Sequence, residues 1–409
     1  MELYVHIPFC EKKCAYCDFL SAPANEETQR RYVGALLREI RFYGEQFERP
    51  RLDSVYIGGG TPSLLKKEYM ELILKQIQIS FAVVYGAEVT MECNPGTANR
   101  EKLTSYQKSG INRLSIGLQS VYDYELQLLG RIHNFRDFLH TYEMARQTGF
   151  QNINVDLMSA LPHQTVEKFT AGLERVARLK PEHISVYSLM IEEGTPFYES
   201  YAEDARRRAA GGIPMQLPSE ETELEIGRQT AEILASFGYE HYEVSNYARP
   251  GCASRHNIGY WRREPYLGVG LGAASLLRRS DVRYSNTTEL EKYIRTCENI
   301  KLLQKEVSLT RRKKQMLPYT NLHAVAEYVS RRAQIEEFMF LGLRMTEGVT
   351  RRSFKEQFDV EIEAVYPEAL HTLSEQGLLE MRAGIIKLTE RGMELSNYVL
   401  ANFLLDTDG

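Results

Sequence analysis

Short apolar, β-branched runs alternate with longer amphipathic stretches over residues 1 to about 245. This alternation is typical of βα units that build a mainly parallel sheet. The amphipathic stretches, such as those at 27–43 and 166–179, are long enough for the crossovers that parallel strands require. The apolar runs predict strands at 3–7, 54–57, 88–92, 113–116, 153–157 and 183–187. Six repeats predict an α/β fold, a partial (β/α)6 TIM-like barrel.

The pattern becomes helical after about residue 300. Helices are predicted at 333–343 and 361–376, and two short apolar runs follow at 378–381 and 385–388. This ending is typical of a small, mainly helical, winged-helix-like domain. Such a domain in an acidic chain need not bind nucleic acid.

The domain organisation follows from these changes in pattern. Residues 196–219 are rich in Gly, Pro, Ser and charge, which predicts a long exposed connection before a helix at 220–237. We expect a barrel domain at 1–245, a segment that completes the barrel at 246–300, and a C-terminal domain at 301–409.

The composition is that of an ordinary globular protein. The 409 residues are 43% hydrophobic, and the net charge of -5 gives no field that would gather nucleic acid. The basic run at 311–314 is expected on a solvated helix face. The first residues lack the basic-then-apolar pattern of a secretory signal, and no apolar run approaches the ~20 residues that span a bilayer. We therefore expect a cytoplasmic protein with no integral membrane segment.

Segments with residues that could serve a functional site follow each predicted strand. In a parallel barrel the loops after the strands converge on one face, where functional groups gather. Each such loop also has an ordinary interpretation, because Gly-Gly and Asn-Pro pairs are common in turns. Their shared position on one rim favours a functional site. The segments lie at 10–17, 58–62, 92–95, 117–120, 156–162 and 187–196.

Three of the six cysteines lie within eight positions, as Cys10-x3-Cys14-x2-Cys17. This spacing does not resemble a disulfide framework, and thiolates are the ligands of iron–sulfur clusters. Three thiolates are one short of the four that close a cluster, so one iron is left open to an external chelating group. A zinc site that adds His6 to the three cysteines is the alternative.

The cysteine motif, with Tyr16 before its last cysteine, resembles the signature of the radical S-adenosylmethionine (SAM) superfamily. The glycine run at 58–62 resembles the glycine motif of that superfamily. More narrowly, nearly the whole chain resembles the oxygen-independent coproporphyrinogen III oxidases and their relatives, the HemW-type heme chaperones. The segments that carry this second resemblance begin at Tyr4, Glu92, Ser115, Asn154 and Glu336.

The resemblance implies a radical SAM barrel with a 4Fe-4S cluster on Cys10, Cys14 and Cys17. SAM would bind the open iron, and an electron from a low-potential donor would allow its cleavage. Whether this chain turns SAM over is left open, and no catalytic residue is assigned. The residues that match the cofactor positions of the family are Tyr4, Tyr16, Gly59, Gly60, Thr61, Glu92, Gln119, Arg131 and Asp156.

The oxidases and the HemW-type proteins differ in the cysteine motif, and this sequence resembles the HemW-type proteins there. The oxidases typically carry a fourth cysteine two positions after the third, whereas here Phe19 follows Cys17 and Asp18 as in HemW-type proteins. This implies a heme chaperone that binds heme and passes it to an acceptor apoprotein. A coproporphyrinogen III oxidase and a non-catalytic zinc protein remain the alternatives.

The segment at 255–261 resembles the heme-associated motif of the HemW group, His-Asn-x2-Tyr-Trp. It implies heme contacts from His256, Tyr260 and Trp261, since imidazole is a common heme ligand and aromatic rings pack against a macrocycle. The alternative is a core histidine hydrogen-bonded to its neighbours. Cys252 is a less favoured ligand, and the absence of a Cys-x-x-Cys-His sequence argues against covalent attachment.

Overall fold

Six parallel strands follow one another in chain order and form the centre of one large sheet. The computed structural model of the chain describes residues 1–277, 281–310 and 313–405. In the described part the strands are β1 Glu2–Ile7, β2 Arg51–Gly59, β3 Ala82–Cys93, β4 Arg113–Gln119, β5 Ile153–Ser159, β6 His183–Ser188, β7 Glu240–Glu243, β8 Asn246–Ala248, β9 Tyr266–Val269, β10 Ala274–Leu277, β11 Val282–Asn286, β12 Leu302–Thr310, β13 Lys313–Thr320, β14 His323–Tyr328, β15 Val349–Thr350, β16 Leu379–Arg382 and β17 Ile385–Leu388.

Helices connect the parallel strands and continue through the C-terminal region. A short 3-10 turn at Pro62–Leu64 follows β2. The helices of the described residues are α1 Glu26–Gln46, α2 Lys67–Ser80, α3 Arg100–Lys108, α4 Asp123–Leu128, α5 Phe135–Gln147, α6 Val166–Ala177, α7 Pro196–Ala209, α8 Glu220–Ser236, α9 Arg255–Trp261, α10 Leu290–Glu298, α11 Arg331–Gly342, α12 Arg351–Phe358, α13 Ile362–Val365, α14 Pro367–Glu375, α15 Glu390–Glu394 and α16 Ser396–Ala401.

The large sheet runs in the order β14-β11-β10-β9-β1-β2-β3-β4-β5-β6-β8-β7 within the described residues and does not close into a barrel. The neighbours from β1 to β6 are parallel, and β9 pairs in parallel with the other edge of β1. The remaining pairs of this sheet are antiparallel. The predicted α/β fold and all six predicted strands are confirmed, and the barrel is partial.

The alternation of side chains along β1 explains why the inside of the curved sheet is polar. Leu3, Val5 and Ile7 are buried in the apolar core beneath the surrounding helices. Side chains two positions apart lie on the same face of a strand, so Glu2 and His6 share the opposite, inner face. The inner face therefore collects polar side chains that need hydrogen-bond partners.

The helix predicted at 27–43 is confirmed as α1, which begins after Asn25. The Asn25 side chain accepts a hydrogen bond from the amide of Thr28, which satisfies one of the free donors of the first turn. Near its other end α1 packs on the last residue of α2: a Cβ atom added to Gly44 would lie 2.5 Å from Cβ of Ser80 and 2.6 Å from its carbonyl oxygen. Only glycine allows this approach.

Three expectations differ from the structure. The connection expected at 196–219 contains α7, because Thr195 caps its first turn and Pro196 is suited to the first helical position. The helix expected at 361–376 is split before Pro367, which lacks the amide that a continuous helix needs. Strands β12, β13 and β14 follow residue 300, where the pattern predicts helices, and β14 joins the large sheet through long-range pairing with β11 that local periodicity does not reveal.

The C-terminal helices enclose a separate apolar core, centred on Met339, Phe354, Ile386 and Phe403. A small sheet of β15, β17 and β16 packs with them, which agrees with the winged-helix-like ending that the sequence predicts. The domain limits at 1–245, 246–300 and 301–409 stay a prediction. Arg311 and Arg312 of the predicted basic run lie outside the described residues, and the run continues into β13, a strand rather than a helix.

Among the described helices, none has both the length and the apolar character needed to cross a membrane.

Replacing the two glycines of α1 by alanine is expected to give opposite effects. Gly44→Ala should lower the free energy of unfolding by about 2 kcal/mol, because its Cβ meets the backbone of Ser80. Gly34→Ala, whose Cβ has space, should raise it by roughly 0.5–1 kcal/mol. Urea unfolding followed by circular dichroism measures both values. Equal effects would show that α1 and α2 are not packed this closely.

Glu39 gives the fold a pH dependence. Its buried carboxylate accepts hydrogen bonds from the amide of Gly270, the Asn286 side chain and the Tyr293 hydroxyl, and burial raises its pKa to about 7. Because the folded state favours the neutral acid, protonated Glu39 adds to the free energy of unfolding at low pH. This contribution falls by roughly 2 kcal/mol as the pH rises from about 5 to 8. Urea unfolding at both pH values should show a smaller pH dependence for Glu39→Gln than for Glu45→Gln, the control at an exposed position of the same helix.

Candidate metal centre and cofactor pocket

The cysteine loop between β1 and α1 is held by backbone hydrogen bonds at several points. The amide of Cys10 donates to the carbonyl of Ala22 at 3.2 Å, and the amide of Ala15 donates to Leu129 at 3.0 Å. The amide of Phe197, at the start of α7, donates to the carbonyl of Ala15 at 3.0 Å. The cysteine loop is thus attached to segments that follow other strands, on the side of the sheet where the parallel strands have their carboxyl ends.

The glycine run after β2 lies directly against the root of the cysteine loop. The amide of Gly60 donates to Ile7 at 2.8 Å, and that of Thr61 donates to Phe9 at 2.7 Å. A Cβ atom on Gly60 would lie 2.7 Å from the carbonyl oxygen of Phe9, and Gly59 has a φ of 110°. The glycines are needed because the two backbones touch here.

A cavity of about 480 Å³ opens where these loops meet, and we call it the cysteine pocket. All three motif cysteines line it, together with nearly all residues that the sequence assigns to the cofactor. Strand β4 has a register shift between Gly117 and Gln119 at the pocket, and Gln119 has a φ of 72°. The predicted residues on its wall are Cys10, Cys14, Tyr16, Cys17, Gly59, Gly60, Thr61, Glu92, Gln119, Arg131 and Asp156.

Two thiols of the pocket have hydrogen-bond donors beside them. The Thr61 hydroxyl is 3.4 Å from Sγ of Cys10, and Nη1 of Arg131 is 3.7 Å from Sγ of Cys14. Arg131 is held in place because its Nη2 donates to Asn94 Oδ1 and to the carbonyl of Gly117, both at 2.8 Å. Such donors stabilise thiolate charge and tune iron–sulfur clusters, so this donor set fits a cluster.

His6 does not complete a zinc site with the cysteines. Its Nδ1 is 3.0 Å from the Tyr4 hydroxyl and its Nε2 is 2.9 Å from the carbonyl of Leu20, so both ring nitrogens are engaged. No three Cys, His, Asp or Glu side chains of the described residues surround a position for a single metal ion. The engaged ring nitrogens of His6 disfavour the zinc alternative.

Two carboxylates form the floor of the cysteine pocket. Glu92 accepts from the Tyr56 hydroxyl at 2.9 Å and from the amide of Gly59 at 3.0 Å, and burial raises its pKa to about 7. Asp156 accepts from Asn154 at 2.7 Å and from Ser115 at 3.1 Å, and burial also raises its pKa. These bonds fix both carboxylates, which are suited to an ammonium group or to ribose hydroxyls.

The sequence assigned no role to the residues that hold these groups, although Asn94 is in the rim segment 92–95 and Ser115 begins one of the family motifs. Tyr56, Asn94 and Ser115 line the same pocket and bind Glu92, Arg131 and Asp156. A signal for them exists, because Tyr56 and Ser115 are at inward positions of strands that also carry predicted site residues.

Tyr4 lies outside the cysteine pocket, unlike the other predicted cofactor residues. Its ring packs beside that of Tyr56 at 6.3 Å, so the two rings separate the cysteine pocket from a second cavity. This second cavity, of about 400 Å³, is called the lateral cavity. Its lining residues are Tyr4, Tyr260, Trp261, Arg263, Tyr266, Ala274, Leu276, Arg283, Glu337 and Leu341.

Helix α9, which carries the motif at 255–261, closes the amino-terminal end of the curved sheet. The Ser254 side chain caps the helix, and the carboxylate of Glu88 accepts from the amides of Arg255 and His256 at 3.0 and 3.3 Å. Glu88 lies on β3, four residues before Glu92, and pairs with Ser54 of β2. The motif and the cysteine pocket are therefore at opposite ends of the sheet interior.

His256 is buried inside the sheet. Its Nδ1 is 2.8 Å from the Ser54 hydroxyl, its Nε2 is 3.2 Å from the Tyr260 hydroxyl, and its ring stacks on Tyr56 at 5.2 Å. Burial lowers its pKa to about 3, so the ring is neutral. Tyr260 and Trp261 line the lateral cavity, whereas His256 and Cys252 line neither cavity. A bond from His256 to heme iron would require one of its present partners to leave.

Two family models match the chain. The model of the radical SAM superfamily matches residues 4–176, which include the three cysteines and all the residues that line the cysteine pocket up to Asp156. The model of the HemN C-terminal domain matches residues 329–395, which contain most of the separate C-terminal core.

Among solved structures, coproporphyrinogen III oxidase (HemN) of Escherichia coli, a radical SAM enzyme, has the same fold. The TM-score is 0.77 at 24% identity, over 98% of this chain and 89% of that one. Curated relatives are more similar in sequence. The heme chaperone HemW of Lactococcus lactis is 35% identical over 98% of this chain and 97% of its own length, and that of Bacillus subtilis is 34% identical over 98% of each. The chain belongs to the HemW family within the radical SAM superfamily.

Proposed function

We propose that this protein is a heme chaperone, which binds heme and passes it to an acceptor apoprotein. The observation that carries the proposal is the presence of two separate cavities. One is lined by three thiols and fits the cluster cofactor, and the other is lined by aromatic rings of the motif at 255–261. A cargo site that is separate from the cofactor site suits a transfer protein. The names of the full-length relatives support the same function.

The cysteine pocket would hold a 4Fe-4S cluster on Cys10, Cys14 and Cys17, with SAM beside it. When bound, this pair supplies an electron and a source of a carbon radical. Thr61 and Arg131 would donate hydrogen bonds to the cluster thiolates. Glu92, Gln119 and Asp156 would bind the polar groups of SAM. A low-potential electron donor and a cytoplasmic location belong to the same proposal.

Oxidation of coproporphyrinogen III is the second candidate function, because the fold is that of an enzyme with this activity. Phe19 argues against it, since the oxidases that this sequence resembles typically have a cysteine there. The Phe19 side chain is 61% exposed at the mouth of the cysteine pocket, where it presents a ring in place of a thiol.

One anaerobic sample loaded with iron and sulfide distinguishes the two functions. We expect it to bind one heme per chain and to release it to an apoprotein, with no conversion of coproporphyrinogen III in the presence of SAM and a reductant. Absorption titration with heme and chromatography of the porphyrins measure both outcomes. Production of protoporphyrinogen, without stable heme binding, would reverse the proposal.

The separation of the two cavities predicts that the cluster can be removed without loss of heme. Cys14→Ala should reduce bound iron and acid-labile sulfide to background after reconstitution, while heme uptake persists. Cys252→Ala is the matched control, because Cys252 is half-buried and lines neither cavity. If the control loses iron to the same extent, or if the Cys14 variant keeps its sulfide, the assignment of the cluster ligands is wrong.

A further inference from the structure

The carboxylate of Glu92 lies on the floor of the cysteine pocket and is held from one side only. Its Oε1 accepts a hydrogen bond from the Tyr56 hydroxyl at 2.9 Å, and its Oε2 accepts from the amide of Gly59 at 3.0 Å. Both donors belong to β2. The other titratable groups that face Glu92 are Tyr4 of β1 and Asp156 of β5, and no cation of the described residues contributes to its pKa.

The Tyr56 hydroxyl is the main group that keeps Glu92 charged. Burial and the neighbouring carboxylate raise the pKa of Tyr56 far above its ordinary value, so the phenol keeps its proton and donates a hydrogen bond. Burial raises the pKa of Glu92 to about 7, and of the contacts that oppose this rise the hydrogen bond from Tyr56 is the largest. Such a bond favours the charged form of a carboxylate. Near neutral pH the hydroxyl therefore sets the balance between charged and neutral Glu92.

The ring of Tyr56 is held in one orientation by its neighbours. It stacks on the ring of Tyr4 at 6.3 Å and on that of His256 at 5.2 Å, with 25° between the ring planes in both pairs. A Cβ atom on Gly58 would lie 2.8 Å from Cε1 of Tyr56 and 2.8 Å from Oε1 of Glu92. The glycine thus lets phenol and carboxylate meet, and the stacked rings fix the direction of the hydroxyl.

The remaining charged and titratable groups around this pair lie on other strands. Arg113 of β4 and Tyr187 of β6 face Tyr56, and both also face Asp156. Arg113 opposes the rise in the pKa of Asp156, but it is not among the groups that act on the pKa of Glu92. The two carboxylates of the pocket floor are therefore supported differently, and Glu92 depends on the hydroxyl.

We propose that Tyr56 is the positioning residue of the SAM site: its hydroxyl holds Glu92 charged and in one orientation, so that the carboxylate accepts a hydrogen bond from an ammonium or hydroxyl group of SAM. The inference rests on the proposed function, in which the cysteine pocket binds SAM. Because SAM selects charged Glu92, its binding releases a proton from each molecule in which Glu92 was protonated. Affinity should fall as the pH falls below about 7 and level off above about 8.

Calorimetric titration of anaerobic, cluster-loaded protein with SAM tests this role. Tyr56→Phe keeps the ring but removes the hydroxyl, so Glu92 stays protonated to higher pH. We expect SAM to bind about tenfold more weakly than to the wild type at pH 7, and the difference should shrink by pH 9. The control is Tyr106→Phe on α3, which removes a buried hydroxyl that has no hydrogen-bond partner among the described residues and does not line the pocket.

The number of protons released on binding separates a change in charge from a general loss of structure. Titrations in two buffers of different ionisation enthalpy give this number. At pH 7 it should exceed the value for Glu92→Gln by about 0.5 in the wild type and by about 1 in Tyr56→Phe. The pH dependence that remains in Glu92→Gln belongs to SAM and to the other groups of the pocket, so the comparison isolates Glu92.

The outcomes distinguish the role of Tyr56 from the function on which it rests. A wild type with full iron and sulfide content that does not bind SAM would contradict the proposed cofactor pocket, and heme uptake by the same sample tests the chaperone function separately. Equal SAM affinity and equal proton release in wild type and Tyr56→Phe would overturn the role of Tyr56. Weakening by the same factor at every pH would also overturn it, as would a Glu92→Gln variant with the pH profile of the wild type.

Discussion

Two backbone hydrogen bonds join the glycine run after β2 to the end of β1, from the amides of Gly60 and Thr61 to the carbonyls of Ile7 and Phe9. They continue the parallel pairing of the two strands beyond the edge of the sheet. Because Cys10 immediately follows Phe9, these bonds fix the first thiol relative to the pocket. The glycines have no side chain that would separate the two backbones.

Contacts on the inner face of the sheet run from the cysteine pocket to α9. Below Asp156, the Asn154 side chain bonds to His183, whose other ring nitrogen is 2.8 Å from the Tyr242 hydroxyl. That hydroxyl accepts from the amide of Ser254, the residue that caps α9. A second route runs from Glu92 through Tyr56 to the stacked ring of His256. Buried polar groups of this kind are tolerated because each has a partner.

This network gives His256 a role that its isolated position in the sequence does not suggest. A neutral, buried imidazole with both nitrogens engaged is a poor first choice as a ligand for a bulky cofactor. It is well suited to hold a neighbouring phenol in one orientation. Ser254 and Glu88 hold the start of the helix, His256 hydrogen-bonds to the Tyr260 hydroxyl, and Trp261 lies on the wall of the lateral cavity.

The sequence by itself determined the six strands, the three cysteines and most of the cysteine pocket. These features are local: alternating side chains define strands, and residues after consecutive parallel strands converge on one edge. The structure alone decided the contacts made over long distances in the chain. Tyr4 packs beside Tyr56 away from the cysteines, His256 is enclosed by β2, and Arg263 and Arg283 meet Glu337 of α11. No local pattern specifies such partners, because they depend on how α9, the sheet edge and the C-terminal helices pack together.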